Sequence, residues 1–456
     1  MNRTGAISSI VVVVLGAVWG ATTGYSSYQT ESYYQAALQN FNAKTLSPVS
    51  IKLTSFKRGF LHSRANWEIS LTLNPCEPNN NLVLTGYDEI SHGPIPSLGW
   101  ASIDSHIIWP DAIEPQIRQI FKGQQPLSMH SRINLLGGLS TRLTSPAIEW
   151  QGQQFKLNWQ GLKGNLSLSG ALSSSDTLTF DIKAPKLIVT ANTTAMAPNQ
   201  QQVSMEGIRY QGEQRHSGSL LPLGKTTFSV NRLTTGQDQQ QWAVQKLVLS
   251  NNTQINKGML SALGQYQIKK IQLNQQDIGD FKASVRLEHL SAQAAQQSYQ
   301  AINRLQRQCN PSMKDLLKAL QPVLNEGFQV NLSQADLKLF KGSAQANALL
   351  VMPALKDRSP QSMEQIIQAV RLNGKLQVSE QLLSGLLTQL SQLQGQAISP
   401  AEASQNIQML VQGVLEQGYL TKTATGYQTT LAVNQGQASI NGKALGRPTP
   451  AATVAP

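Results

Sequence analysis

The sequence has 456 residues and a formal net charge of +12, yet only 14% of its residues are charged. Its basic residues are scattered and are not interleaved with aromatic residues, which argues against a nucleic-acid-binding module. A basic protein whose polar surface is built mainly from Gln, Asn, Ser and Thr suits long solvated β-sheets. It also suits anionic partners such as lipid headgroups or cell-wall polymer.

Residues 1–24 predict a membrane anchor. No charged residue occurs between positions 4 and 30, and a helix of about 18 residues around Ile7–Ala21 spans close to a ~30 Å hydrocarbon layer. Arg3 keeps the N-terminus on the cytoplasmic side, so the rest of the chain is exported. A cleavable signal peptide is the alternative, with a weak site at Ala21. The residues that we expect to form the anchor are Ile7, Ile10, Val14, Leu15 and Trp19.

The anchor is followed by a predicted stalk, residues 25–48, in which 32–43 carry an apolar stripe at helical spacing. Residues 49–290 then alternate between apolar and polar side chains with period two, which predicts an antiparallel β domain with one dry face and one wet face. One short helix is predicted at Pro110–Phe121. We expect Ile133 and Leu157 to belong to the dry face.

The pattern changes at position 291. Residues 291–446 predict a mixed region of helices and strands, and 447–456 a disordered tail. Helix starts are predicted at Ser291, Asn310–Pro311, Ser379 and Ser399, and strands at 328–340, 343–353, 427–433 and 437–441. The fold class is therefore α+β and mainly β: an N-terminal transmembrane helix, then long antiparallel sheets with C-terminal helices packed on them.

Catalytic signatures are hard to find in this sequence. It contains no Gly-x-Ser-x-Gly elbow and no His-Glu-x-x-His pair. Asp88, His92 and His106 form the densest polar region and in principle could meet at a metal or act as acid and base. We interpret His92-Gly93-Pro94 instead as a structural corner between strand and loop. We expect no catalytic residue, no metal and no cofactor.

Cys76 and Cys309 are the only cysteines, and neither lies in a Cys-x-x-Cys cluster, which argues against structural zinc. In an oxidising compartment they could form one disulfide. They could equally be two unrelated buried thiols.

Three short stretches resemble landmarks of the YdgA-like family (DUF945). They are Phe56–Ser63, which contains Arg58, Gly59 and Phe60; Ser91–Pro96, which contains His92, Gly93 and Pro94; and the closing 428–442. The resemblance extends in order over nearly the whole chain. It implies a single-pass protein of the bacterial inner membrane with a large periplasmic domain, and it supplies no catalytic residues.

These features suggest a non-enzymatic envelope protein. A dry sheet face tethered beside the bilayer can hold acyl chains, and the architecture resembles that of the AsmA-like envelope proteins, which implies lipid handling. The alternative is a homodimeric scaffold that binds other envelope proteins or cell-wall polymer. The expected partners are thus the bilayer, lipid or a second copy, and not nucleic acid.

Overall fold

The structure is a computed structural model. It describes residues 27–32, 34–36, 38–39, 42, 49–72, 76–77, 81–93, 99–134, 138–153, 155–169, 175–191, 202–217, 221–236, 241–306, 308–356, 362–396 and 398–445. The predicted anchor, with Ile7, Ile10, Val14, Leu15 and Trp19, and the predicted tail lie outside these residues. Among the residues that are described, no helix is long and apolar enough to span a bilayer.

The described residues of the predicted stalk are helical between positions 27 and 42, and we call this helix α1. The rest of the chain forms two compact units. Unit 1 comprises Met1–Met196, Glu206–Thr226 and Asn303–Pro311, and unit 2 comprises Ala197–Met205, Thr227–Ile302 and Ser312–Pro456. Position 290, where the sequence pattern changes from strands to a mixture of helices and strands, lies inside unit 2. The strand that ends there pairs with the strand that begins at Phe328, so both belong to one sheet.

Unit 1 is an antiparallel sheet whose first six strands form a meander, each pairing with the next along the chain. The sixth strand then pairs with the ninth, the seventh pairs with the eighth, and the eighth and ninth both pair with the tenth. Short turns are enough to connect antiparallel neighbours, which explains the frequent turn residues of this region. The strands are β1 (Val49–Lys57), β2 (His62–Thr72), β3 (Asn81–His92), β4 (Gly99–Ile108), β5 (Ser128–Asn134), β6 (Leu139–Ser145), β7 (Ile148–Gln151), β8 (Phe155–Trp159), β9 (Leu162–Ser169), β10 (Ser175–Ala191) and most of β11 (Gln202–Ser217). Helix α2 (Glu114–Phe121) follows β4, within the span predicted for a helix.

Two pairs of short strands in unit 1 are long strands with one interruption. The pairing of β6 with β9 continues in the same register as that of β7 with β8. Pro146 interrupts the first strand, since it has no N–H for the ladder. Gly161 interrupts the second at a φ of 84°, which favours glycine. The two interruptions lie opposite each other, so the strands keep the same register on both sides of them.

The core of unit 1 lies on one face of β2–β5. Ala65, Ile90, Ala101, Ile103 and Ile133 form a buried cluster against which Tyr34 of α1 packs. The predicted dry face is therefore a closed core at Ile133, while Leu157 is only half-buried.

Unit 2 contains a second antiparallel meander. Its order is β13–β14–β15–β16–β17–β18–β20, with β19 and β21 on the other edge of β20. The strands are most of β12 (Leu223–Thr235), β13 (Trp242–Asn256), β14 (Met259–Leu273), β15 (Gln276–Ser291), β16 (Phe328–Leu339), β17 (Gly342–Met352), β18 (Arg371–Ser379), β19 (Thr421–Lys422), β20 (Gly426–Asn434), β21 (Gln437–Ile440) and β22 (Lys443–Ala444).

The helices of the second half of the chain are α3 (Ala292–Leu305), α4 (Met313–Glu326), α5 (Met363–Ala369), α6 (Glu380–Leu393) and α7 (Pro400–Glu416). Ser379 and the Ser399–Glu402 capping box begin α6 and α7, as the sequence predicted. Helix α4 begins later than predicted, because Ser312 caps it through a box with Asp315 while Asn310 adopts a left-handed conformation. Helix α5 was not predicted from the sequence, and it has only seven residues.

A disulfide joins Cys76, between β2 and β3, to Cys309, between α3 and α4. The Cα atoms are 4.5 Å apart, and the bond closes a loop of 233 residues along the chain. Both cysteines belong to unit 1, so the bond holds segment Asn303–Pro311 in that unit. A cross-link of this span restricts the unfolded chain strongly and typically stabilises a protein by about 2–4 kcal/mol.

Removal of the disulfide should lower the melting temperature by about 5–10 °C, as expected for a loss of about 2–4 kcal/mol in a domain of this size. Thermal melts of the wild-type protein and of the Cys76→Ser/Cys309→Ser variant, each with and without reductant, measure this effect. Reductant should shift only the wild-type protein. A wild-type melt unchanged by full reduction would contradict the prediction.

Candidate functional site

The two motifs that carry the family resemblance meet on neighbouring strands. β2 and β3 pair so that His62 lies opposite Ser91. The backbone N–H of His92 donates to the Leu61 carbonyl at 2.8 Å. Strand pairing therefore brings together stretches that are about thirty residues apart in the sequence.

Ser63 and His92 form a buried hydrogen-bonded pair at the centre of this junction. The backbone N–H of Gly59 donates to Ser63 Oγ at 3.1 Å, and Ser63 Oγ lies 2.7 Å from His92 Nε2. Ser63 Oγ accepts from Gly59 and still has one lone pair and its own proton, so both directions of the hydrogen bond with Nε2 are open to it, one for each tautomer of the neutral ring. Nδ1 is buried and has no hydrogen-bond partner among the residues that the structure describes. Burial, followed by the nearby charge of His62, lowers the pKa of His92 to about 4.

Helix α1 is fastened to the same junction. The hydroxyl of Ser27 donates to the Gly59 carbonyl at 2.8 Å. The Arg58 Nε atom donates to Glu31 at 3.0 Å, and the Arg58 guanidinium lies 5.1 Å from the centre of the Tyr28 ring. Arg58 and Gly59 therefore hold the helix that directly follows the predicted anchor, through an ion pair, a cation–π contact and a backbone carbonyl.

A buried carboxylate makes a second attachment of α1. Asp88 accepts a hydrogen bond from the Tyr34 hydroxyl at 2.7 Å and another from Trp67 Nε1 at 2.9 Å. Asp88 is only 7% exposed, so these two donors replace water around its charge. Burial, and then the adjacent Asp88 charge, raises the pKa of Tyr34. The tyrosine therefore stays a donor.

The contacts of this junction attach helix α1 to the sheet of unit 1. Ser63 and His92 are arranged like a nucleophile and its base, but both are buried. A catalytic pair also needs a third group to orient the base, whereas Asp88 is engaged by Tyr34 and Trp67. His106 stacks on Tyr87 with ring centres 4.8 Å apart, so Asp88, His92 and His106 each contact different partners. No group of three or more metal-ligating His, Cys, Asp or Glu residues occurs in the described part of the chain.

A different feature, in unit 2, is large enough to hold a ligand. Residues that pair across antiparallel strands project from the same face, and two neighbouring rows cross six strands on the apolar face of this sheet. We call these rows the apolar furrow. The first row is Gly264, Val285, Leu332, Ala348, Gly374 and Leu431. The second row is Tyr266, Ala283, Ala335, Ala346, Leu376 and Thr429.

The apolar furrow is a depression in the sheet surface, because its side chains are smaller than those of the rows on either side. Gly or Ala occupies six of its twelve positions, while the rows on either side carry larger residues such as Phe281, Leu337, Leu350 and Leu372. A bulge in β16 adds one residue, so Leu332 and Ala335 lie on the same face although they are three positions apart. None of the twelve residues is buried.

The furrow also has a defined length, and a helix borders one of its long sides. Six strands give five spacings of about 4.8 Å, so the furrow is about 24 Å long. Helix α6 packs against β16, β17, β18 and β20. It covers the end of the apolar face at Tyr427, which is buried beside Glu380 of that helix. The opposite face of the same strands is polar, with Gln345, Asn347 and Lys375.

A family model described as a bacterial protein of unknown function, DUF945, matches residues 1–446. The chain belongs to the DUF945 family. No curated protein and no solved structure matches it. Membership of DUF945 confirms the resemblance based on the motifs around Arg58 and His92, and it leaves the activity open.

Three residues of the family motifs, Phe60, Gly93 and Pro94, take no part in the hydrogen bonds of this junction described above. Phe60 is exposed, Gly93 donates its N–H to the Trp100 carbonyl at 3.3 Å, and Pro94 lies outside the described residues. The contacts of Asp88 with Tyr34 and Trp67 were not predicted from the sequence. A signal was present, because Asp88 has the same strand phase as the buried Ile90 and is thus an acid on a dry face.

The titration of His92 should make the protein less stable in acid. An ordinary histidine has a pKa near 6.5, so the unfolded chain takes up a proton as the pH falls through that value, whereas folded His92 resists protonation until about pH 4. The stability that His92 contributes is thus complete above about pH 6.5 and is lost toward pH 4.

The substitution His92→Gln keeps an acceptor for Ser63 but cannot titrate. Urea unfolding at pH 7 and pH 4.5 should show a wild-type loss that exceeds the variant's loss by about 1–2 kcal/mol, with partial solvent screening of the ring taken into account. Equal losses in the two proteins would show that His92 titrates normally when folded.

Proposed function

We propose that the protein binds lipid acyl chains in the apolar furrow of unit 2. The observation that carries this proposal is a continuous apolar surface that crosses six strands without any buried residue. A surface of this kind on a solvated sheet favours an apolar ligand, because each CH₂ group removed from water contributes about 0.8 kcal/mol.

The dimensions of the furrow suit an acyl chain. One leaflet of a bilayer is about 15 Å thick in its hydrocarbon part, and the furrow is about 24 Å long. An extended chain from one leaflet therefore fits along it. The small residues Ala346, Ala348 and Gly374 leave room for a chain one methylene wide between the larger residues on either side.

The proposed location is the bacterial inner membrane, with the two units in the periplasm. The charge-free segment before α1 and the single positive residue Arg3 support a single-pass anchor with its N-terminus inside. The Cys76–Cys309 disulfide supports an oxidising compartment, since such bonds are rare in the cytosol. An enzyme activity forms no part of the proposal.

Lipid binding can be tested with two leucines on opposite faces of one sheet. Leu376 lies in the furrow and is 42% exposed, while Leu349 lies on the polar face of the neighbouring strand and is 38% exposed. We expect Leu376→Gln to weaken binding of a fluorescent fatty acid about tenfold or more, because a buried, unpaired amide costs roughly 1–3 kcal/mol. Leu349→Gln should bind like the wild-type protein.

Mass spectrometry of lipid extracted from the purified wild-type protein gives the companion measurement. Both variants should keep the wild-type melting temperature to within a few degrees, because surface substitutions change stability by about 0.5 kcal/mol or less. A wild-type protein without lipid, or equal affinity of the two variants, would exclude the furrow as the binding site.

A homo-oligomeric scaffold is the second candidate, favoured by exposed apolar residues on the α6–α7 pair. Leu390 is 56% exposed on α6, and Met409 and Leu410 are 60% and 68% exposed on α7. Large exposed apolar side chains of this kind mark protein–protein contacts.

If these residues form a dimer contact, Leu410→Lys should convert a dimer to a monomer, since an unpaired charge would be buried at the interface. Sedimentation velocity of the wild-type protein and the variant measures this change. A wild-type protein that remains monomeric at tens of micromolar would remove the scaffold candidate.

A further inference from the structure

The wet face of the sheet in unit 1 carries two arginines on neighbouring strands, Arg132 in β5 and Arg142 in β6. Both are exposed, whereas Ile133, the next residue after Arg132, is buried on the dry face. Among the described residues, no carboxylate pairs with Arg132 or Arg142. The described arginines that do form ion pairs with carboxylates are Arg58, Arg118, Arg209, Arg215 and Arg286.

Strand pairing places the two arginines diagonally across β5 and β6. Arg132 lies opposite Ser140, and Arg142 lies opposite His130. Residues that pair across antiparallel strands project from the same face, and diagonal neighbours lie about 7–8 Å apart, within reach of long side chains. Both guanidinium groups can therefore contact one anion, with the hydroxyl of Ser140 beside them. We call Arg132, Ser140 and Arg142 the arginine patch.

A chain of hydrogen bonds holds Arg132 in position. His130 Nδ1 lies 2.7 Å from Asp104 Oδ1, and Arg132 Nε donates to His130 Nε2 at 3.3 Å. A carboxylate only accepts hydrogen bonds, so the neutral ring donates through Nδ1 and accepts through Nε2. These contacts use only the Nε atom of Arg132. Its two Nη atoms make no hydrogen bond to any other residue that the structure describes, so they are available to a ligand.

The surroundings of the arginine patch are polar and carry little negative charge. Its two rows of residues continue onto the neighbouring strands β4 and β9 with Ser102, Asp104, Asn165 and Ser167. Asp104 is the one carboxylate among these four, and it is already hydrogen-bonded to His130. It lies two strand spacings, about 10 Å, from Arg142. The patch therefore keeps an excess of positive charge.

This arrangement suits a phosphate group. A guanidinium group donates two parallel hydrogen bonds to a phosphate, and a phosphate monoester carries nearly two negative charges at pH 7. Two arginines match this charge, and their donors together with one hydroxyl match its three free oxygens. A carboxylate has one charge and two oxygens, which a single arginine satisfies.

We propose that the arginine patch binds a phosphate monoester, carried either by a small soluble molecule or by a lipid headgroup. Arg132 and Arg142 donate hydrogen bonds to the phosphate oxygens, and the hydroxyl of Ser140 donates a further one. The patch belongs to unit 1 and the apolar furrow to unit 2. The failure of either proposal therefore leaves the other intact.

Isothermal titration calorimetry on the full-length chain in dodecyl maltoside, at low salt, tests this proposal. The probes are glycerol 3-phosphate and dioleoyl phosphatidic acid, which carry the same phosphate group without and with acyl chains. At least one should bind the wild-type protein with a dissociation constant below about 1 mM. Arg142→Gln removes the charge and the paired donors, so the affinity should fall about tenfold or more, since hydrogen bonds between charged groups are the strong ones.

The matched control is Arg215→Gln, which removes the same charge from an exposed residue of unit 1 that pairs with Glu213. Its affinity should equal that of the wild-type protein. Arg142→Lys keeps the charge but loses the paired donors, so its affinity should lie between those of the wild-type protein and Arg142→Gln. All three variants should keep the wild-type melting temperature to within a few degrees, because the substituted residues are on the surface.

Binding of glycerol 3-phosphate that weakens in Arg142→Gln would identify a soluble phosphate ester as a ligand. Binding of phosphatidic acid alone, weakened in the same variant, would identify a lipid headgroup. The proposal is overturned if neither probe binds at millimolar concentration, or if Arg142→Gln and Arg215→Gln bind equally well. Loss of glycerol 3-phosphate binding in Leu376→Gln, which alters only the furrow, would overturn it as well.

Discussion

The strict alternation of side chains along antiparallel strands governs both units of this protein. Every described strand pairing is antiparallel, and each residue shares a face with its partner across the ladder. An apolar residue at every second position therefore produces one continuous dry face. Such a face must be covered by other elements or by a ligand, and the two units meet this requirement differently.

In unit 1 the dry face is closed by the protein itself. Ile90 and Ile133 pack in a buried cluster, and α1 lies against it through Tyr34. Polar side chains are buried along with this core, and they form hydrogen bonds with each other: Asp88 with Tyr34 and Trp67, and Ser63 with His92. In unit 2 the middle rows of the apolar face carry small residues, and none of these residues is buried.

Two buried ring nitrogens lack a hydrogen-bond partner among the described residues: His92 Nδ1 and Trp109 Nε1. His92 Nδ1 lies in a junction whose other polar groups are paired, and burial lowers the pKa of its ring. Each of the two atoms is shielded from water as well, so each costs stability.

The sequence by itself determined the elements and many of their ends. Alternation with period two predicted the strands, and local caps such as Ser379 and Ser399 placed helix starts, because these signals depend on residues only a few positions apart. The motifs around Arg58 and His92 also indicate the DUF945 family from their residues and their order along the chain alone. Signals of this kind can be recognised in the sequence because they involve residues that are close together along the chain.

Only the tertiary structure decided which distant residues are in contact. It joined Cys76 to Cys309, a pairing that the sequence left open, and it brought Asp88 to Tyr34 and Trp67. It also placed the division between the two units within the β region, because β15 pairs with β16 across two intervening helices. These contacts depend on register and on strand pairing between distant segments, and a one-residue shift in register would have moved every side chain of a strand to the opposite face.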